Sequence, residues 1–282
     1  MSVVLPGTRT GRDPERSIRR GPRRLPAEVV AATQRDRLLD GIVRTVAQSG
    51  YTKARISDIC QAAGVTRPVF YEQFEGKEDA FLAAHRHGTT LVVASMEAAF
   101  DAAPDWPAGI RNALGTLLGI LAEAPAFATM AVVEIDAVGA AGRAQRERLL
   151  EGFRRFFATA ERQSAAPGAG TPRAGAPGAG APAAVSLTEL VDAVVGGVHA
   201  SIYRRIAAGR TAELPELLPS LHYFVLAPFL GPAEAAAWLA EPGPVALAAS
   251  PPCLVGTQRD HVTNTSSTSV SHKPLDPTTT QG

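Results

Sequence analysis

The stretch from Gly50 to Leu82, GYTKARISDICQAAGVTRPVFYEQFEGKEDAFL, decides how this chain folds. Ile56, Ile59 and Cys60 give a short helix one apolar face, with Ser57 and Asp58 in its first turn, near the positive end of its dipole. Ala62-Ala63-Gly64-Val65 reads as a tight turn. The alanines let two helices approach closely, Gly64 supplies a positive φ, and Val65 plugs the gap between them. Thr66 stands at the N-cap of the next helix, and Pro68 falls in its first turn, where a missing N–H breaks no intrahelical bond. Phe70 and Phe74, four apart, share a face and read as core. Two short helices joined by a glycine-bearing turn make a helix-turn-helix, and the second is short enough to enter a major groove.

Working outward, the pattern on both sides is helical. Upstream, Leu38, Leu39, Ile42, Val43, Val46 and Ala47 line one face of a helix that runs from Val29 to the glycine stop at Ser49-Gly50. Gln34, Arg35, Asp36, Asp40 and Arg44 fall on its other side. Downstream, helical patterning runs from about Lys77 to Gln163, with breaks at Ala103-Pro104, Glu123-Ala124-Pro125 and Gly139 to Gly142. It resumes in two stripes, one from Leu187 to Ile206 and one from Leu214 to Val225. Period-two alternation is almost absent, so the predicted fold is all-α. The expected divisions are a disordered Arg-rich arm at 1–28, a three-helix domain containing the helix-turn-helix at 29–77, and a larger helical domain at 78–242. An Ala/Gly/Pro loop at 164–184 and a Ser/Thr-rich tail at 243–282 hold too few large apolar groups to offset ordering, and are expected to be disordered.

Charge is distributed unevenly. The whole chain has 28 basic and 27 acidic side chains, a formal net of +1, which taken alone argues against a nucleic-acid binder. Residues 1–77, however, hold 14 basic and 8 acidic side chains, and the remainder is acidic. The basic excess coincides with the helix-turn-helix. Two cysteines, Cys60 and Cys253, make neither a disulfide framework nor a metal-ligand spacing, and Cys60 reads as an inert buried thiol. His85 and His87 fall on different helix faces, so no metal is expected. No nucleophile–base pair, phosphate-cradling glycine loop or paired carboxylate is present, so neither enzyme activity nor a cofactor is expected. The pairs Arg19-Arg20 and Arg23-Arg24 are followed by polar sequence and not by an apolar export signal. The apolar run Ala113 to Val133 contains Glu123 and Pro125 and reads as two buried helices and not a membrane span. A reducing, cytoplasmic setting is the expectation.

Residues Gly50 to Leu82 resemble the DNA-binding domain of the TetR/AcrR family of transcriptional regulators. The shared features are the Gly-Tyr that ends the first helix, Ile59 before the AAGV turn, and the run Tyr71, Phe74, Lys77, Glu78. At motif level the resemblance covers about residues 29–85. It implies a homodimeric, sequence-specific regulator, most often a repressor, that reads a palindromic operator in double-stranded DNA. Arg67 would donate two parallel hydrogen bonds to a guanine, and Pro68 and Val69 would meet a thymine methyl group. Thr66, Tyr71, Gln73 and Lys77 would reach phosphates. Ala54 and Arg55 stand where the family has Thr or Ser, which leaves Arg55 for a phosphate contact and Thr52 as the substitute cap. Glu72 either faces a cytosine amine or points away. The arginines from Arg9 to Arg24 either follow phosphates or a minor groove, or are merely basic.

The same resemblance implies dimerisation through the last two helices, about Ser186–Ala208 and Thr211–Leu230, with Gly196-Gly197 allowing close approach. Pro215 would sit in the first turn of the last helix, and Pro219 and Pro228 would kink or end it. A pocket in the middle helices would hold a small apolar or amphipathic ligand, with Met96, Phe100, Phe127, Met130, Glu134, His199 and Tyr203 as candidate lining. For His199 a satisfied core histidine is the competing reading. Two other functions stay open: a regulator with a fully packed core and no ligand, or a helical binding protein or enzyme whose helix-turn-helix is incidental.

Overall fold

The computed structural model describes residues 4–9, 26–158 and 186–240, and every regular element among them is helical. The expected loop at 164–184, the tail at 243–282 and most of the Arg-rich arm lie outside the described residues.

Three helices, α1 (Ala27–Ser49), α2 (Ile56–Ala63) and α3 (Arg67–Gln73), form the N-terminal bundle. α1 begins two residues before the expected Val29. Its stripe of Leu38, Ile42, Val43 and Val46 is fully buried, and Gly50 closes it with φ 76°. At Gly41 a Cβ would lie 2.8 Å from the Ile59 carbonyl oxygen and 3.0 Å from the Ala63 Cβ, so α1 and α2 touch along their backbones. Arg44 was expected on the solvent side of α1 but reaches across this contact. Its Nη2 donates to the Ala62 carbonyl (2.7 Å), while Arg37 donates to the carbonyls of Ala63 (3.0 Å) and Gly64 (3.1 Å). These are carbonyls that a helix end leaves without internal partners. Gly64 takes the left-handed conformation expected of it, φ 64°.

The arm reading does not hold for residues 4–9. Leu5 is buried in the core of the bundle, and the Gly7 N–H donates to Asp40 Oδ1 at 2.7 Å. This contact also explains why Asp40 is buried and not solvated: a carboxylate can leave water when a backbone amide satisfies it.

The second part comprises α4 (Lys77–Asp101), α5 (Trp106–Glu123), α6 (Pro125–Ala128), α7 (Ala140–Gly152), α8 (Leu187–Ala207), α9 (Leu218–Leu230) and α10 (Pro232–Ala240). Its breaks follow the prolines and glycines. Asp105 caps α5 by accepting from the Ala108 N–H (2.9 Å), with Pro107 in the first turn. α6 passes into a π turn (Thr129–Val133) and then a 3-10 turn (Glu134–Val138), neither of which the periodicity indicates. The chain bends by 105° between α5 and this segment, and no single described helix is long and apolar enough to cross a membrane. Gly142 lies inside α7 and does not break it; its lack of a side chain serves packing, since a Cβ there would come within 2.1 Å of the Ile135 carbonyl oxygen. Pro215 lies in a separate 3-10 turn (Thr211–Leu217), and Pro219 starts α9, where its missing N–H costs nothing; Pro228 alone falls inside that helix.

α4 and α7 run side by side in the same direction. Arg86 Nη1 donates to Gln145 Oε1 (3.2 Å) near one end, and Arg155 pairs with Glu97 near the other. Because arginine only donates, Gln145 must turn its amide nitrogen to the Leu82 carbonyl (3.0 Å) and to Nδ1 of the buried His85 (2.8 Å). His85 therefore carries its proton on Nε2, which is buried and makes no hydrogen bond among the described residues. Burial pushes the pKa of His85 down to about 4.

Two outcomes follow from this packing. Gly41→Ala should destabilise the protein by about 1–3 kcal/mol in urea unfolding, because overpacking against α2 outweighs the better helix propensity of alanine. His85 is protonated more readily unfolded than folded, so its contribution is complete above about pH 6.5 and is lost as the pH falls toward 4, amounting to roughly 3 kcal/mol. Unfolding midpoints of wild type and His85→Gln should therefore diverge less at pH 4.5 than at pH 7.5.

Candidate nucleic-acid interface and ligand cavity

α3 has seven residues, and burial sorts them cleanly. Phe70 is fully buried and Phe74, just past the helix end, nearly so; their rings meet with centroids 5.7 Å apart. Arg67, Pro68, Tyr71 and Glu72 are exposed together with Thr66, while Val69 and Gln73 are half-buried. One edge of the helix thus anchors it and the opposite edge offers a guanidinium, a proline ring and a phenol to solvent. Tyr71, at 56% exposed, is the most open large hydrophobic side chain among the described residues. Its ring stands edge-on to Phe70, with centroids 5.4 Å apart, so it is held in place although exposed.

Thr66 has the extended backbone of an N-cap, but its hydroxyl makes no capping bond. Arg55 is exposed in the N-cap position of α2, which likewise has no side-chain cap, so Thr52 does not fill that role. The sequence reading missed Arg35. Its Nη1 donates to the Gln73 carbonyl (3.1 Å) and its guanidinium lies 4.6 Å from the centre of the Phe74 ring, fastening the end of α3 to α1. Only its basic character in a polar stretch is legible in the sequence.

Lys77 requires a correction. Its Nζ donates to the carbonyls of Tyr51 (2.8 Å) and Ala54 (3.1 Å), with Thr52 at 3.5 Å, and sits 4.3 Å above the Tyr51 ring. An ammonium has three N–H donors, and all three point into the turn between α1 and α2. In this structure the side chain braces that turn, and its ammonium is committed to backbone carbonyls. The carbonyls converge there because Gly50 ends α1 and the chain doubles back toward α2.

Glu134 is also placed differently from the expectation. Its Oε2 accepts the Tyr51 N–H at 2.7 Å, and it lies against Gly50, outside the ligand cavity. A carboxylate from the second part thus holds the N–H of the same residue whose carbonyl Lys77 holds.

The cavity itself occupies about 990 Å³, counting its mouth, between α4, α5, α7, α8 and the π turn. Its walls are almost wholly hydrocarbon, as a small-molecule site requires. Of the expected lining residues, Met96, Phe127 and His199 are on the wall. Phe100 instead packs edge-on to Phe156 (5.3 Å between centroids), Met130 is buried off the wall, and Tyr203 is 37% exposed on the outside of α8. The sequence reading missed the contribution of α7 and the turn after it, where Arg146, Leu149, Leu150, Phe153 and Phe157 line the wall. Their spacing of three and four is a readable stripe, hidden by the polar residues between them. Burial lowers the His199 pKa below the ordinary imidazole value, Arg146 lowers it further and Asp136 opposes both. His199 is therefore neutral at pH 7. Among the described residues there is no group of three or more His, Cys, Asp or Glu side chains that could hold a metal.

Residues 38–84 match the profile of the "Bacterial regulatory proteins, tetR family". No curated protein matches the sequence. Several solved structures share the fold, among them the following three. The fatty acid degradation regulator FadR of Bacillus halodurans is 17% identical, covering 74% of this chain and 96% of its own, with a TM-score of 0.58. FadR of Bacillus subtilis, solved in complex with stearoyl-CoA, is 16% identical, covering 69% of this chain and 97% of its own, with a TM-score of 0.55. TylP, a tetR regulator of Streptomyces fradiae, is 19% identical, covering 73% and 91%, with a TM-score of 0.52. The N-terminal part therefore carries the tetR-family signature, and the whole has the fold of a helix-turn-helix domain followed by a helical domain.

Lys77→Met removes the donors of two carbonyls and should lower stability by about 1–3 kcal/mol in urea unfolding. A residue that served only to meet a phosphate would leave the midpoint unchanged.

Proposed function

We propose that this chain is a cytoplasmic, homodimeric DNA-binding transcriptional regulator, a repressor released from a palindromic operator by a small apolar or amphipathic ligand. The observation that carries the reading is the division of α3 into a buried anchor, Phe70 with Phe74, and an exposed edge of Arg67, Pro68 and Tyr71. A helix held this rigidly on one side and bare on the other suits insertion into a major groove, with Arg67 at its first turn to read a guanine and Tyr71, Thr66 and Arg55 to meet phosphates. Val69 and Gln73, half-buried, lie at the margins of that edge.

Dimerisation would use α8 and α9. The outer side of α8 exposes Ala193, Gly196, Ala200 and Tyr203, and Phe224 of α9 is 43% exposed with its ring seated over Gly197. Small residues beside an exposed aromatic ring suit a helix-on-helix contact around a twofold axis, and twofold symmetry of the protein calls for a palindrome in the DNA. The cavity favours a ligand-responsive regulator over one with a fully packed core, and the stearoyl-CoA bound by FadR of Bacillus subtilis has the amphipathic character such a cavity would accept.

Binding to duplexes selected from random DNA, measured over a salt series, tests the reading. Affinity should fall with a log–log slope of about 0.9 per phosphate contact. Arg67→Ala should cost about 1–3 kcal/mol, concentrated at one base pair of each half-site. Salt-independent binding, or an unchanged site profile in the variant, would remove α3 as the reading helix.

A further inference from the structure

The cavity is not uniformly apolar along its length, and its one polar end lies next to the DNA-reading part. Because α4 and α7 run in the same direction, Thr89 and Arg146, the first lining residue of each, mark the same end of the cavity. α8 runs the opposite way: Asp192 pairs with Arg154, and His199, about two turns further along the same face, feels the charges of Arg146 and Asp136. Thr89, Arg146 and His199 therefore meet at one end, while Ile110, Phe156 and Phe157 close the other. On α5 the wall runs from Ile110 to Leu121, about 16 Å at 1.5 Å per residue, the scale of an extended hydrocarbon chain.

The guanidinium at the polar end is only partly committed. Arg146 uses Nη1 alone to pair with both carboxylate oxygens of Asp136, and its Nε and Nη2 have no hydrogen-bond partner among the described residues. Its side chain is 24% exposed, so the group is neither sealed in the core nor dissolved in bulk water. The remaining fork of donors matches a planar anion. Neutral His199 beside it can add one further donor without adding charge.

We infer that, within the ligand-responsive reading above, the ligand is an acyl chain with an anionic head group, and that Arg146 is the residue that selects the charge. The hydrocarbon lies along α5 toward Phe156 and Phe157, and the head group takes the free fork of Arg146. The consequence for DNA binding is local. Asp136, which now holds Arg146 alone, sits on the 3-10 turn Glu134–Val138, and the first residue of that turn holds the Tyr51 N–H. An anion at Arg146 competes with Asp136 for one guanidinium and so weakens the anchorage of the turn that grips the DNA-reading part. A neutral head group has no such differential effect and shifts nothing.

The test uses the full chain, three probes and two readouts: palmitate, methyl palmitate and palmitoyl-CoA, with binding by calorimetry and release of a selected operator duplex by fluorescence anisotropy. Wild type should bind palmitate or palmitoyl-CoA about tenfold or more tightly than methyl palmitate. If palmitate leads, the anion read is the carboxylate; if palmitoyl-CoA leads, it is a phosphate of the larger head group. Equal affinity for all three probes overturns the proposal without need of any variant. Arg146→Met should reduce the affinity for the preferred anion to that for the methyl ester and leave the ester unchanged, while Arg146→Lys should restore part of the preference. A preference retained in Arg146→Met overturns the assignment. Glu134→Ala, which removes the same grip without ligand, should bind the anion as wild type does yet hold the operator several-fold more weakly in its absence; operator affinity equal to that of wild type overturns the route through the turn. Calorimetry reads the ligand site whether or not the protein binds DNA, so failure of the regulator reading and failure of this inference give different results.

Discussion

Tyr51 is where the molecule is tied together. Its N–H is held by Glu134 from the second part, its carbonyl by Lys77 at the start of α4, and its ring lies under the same ammonium and edge-on to Phe81, 5.2 Å between centroids. Backbone groups at the end of a helix need partners, and here those partners come from α4 and from the turns after α6, both of which also pack against α1. A carboxylate, an ammonium and one aromatic ring around a single turn thus add directional contacts to the apolar packing between the helix-turn-helix and the helical domain.

Close backbone approach supports this arrangement on both sides. Gly41 brings α1 onto α2, and Gly88 brings α4 against the ring of Phe127, which is also part of the cavity wall. The cavity is therefore bounded by the same α4 whose first residue braces the Tyr51 turn. A ligand that alters the packing around α4 or the π turn acts on elements one step from the DNA-reading helix, and interfaces packed this tightly move between discrete arrangements instead of deforming smoothly.

The parts of the site that the sequence made legible are those where one residue type answers one local need. Gly50 and Gly64 stop helices, Pro68 starts one, and the four-residue spacing of Phe70 and Phe74 marks the buried edge of α3. Met96, Phe127 and His199 were also legible as cavity lining because large or polarisable groups on apolar stripes face inward. Lys77, Asp40 and Arg44 were not. Each is a charged residue that polarity alone assigns to solvent, and each is drawn inward by an unsatisfied backbone group contributed from elsewhere in the chain. Glu134 was expected in the cavity and instead holds the Tyr51 N–H for the same reason.

By itself, the sequence determined the class of the fold, the helix-turn-helix and its exposed edge, because periodicity, glycine stops and capping positions act within a few residues of one another. Only the tertiary structure decided which charged side chains face inward, where the cavity lies, and that its one guanidinium sits at the end nearest the DNA-reading part. Those outcomes depend on hydrogen-bond donors and acceptors separated by tens of residues, such as Tyr51 with Glu134, which no local pattern brings together.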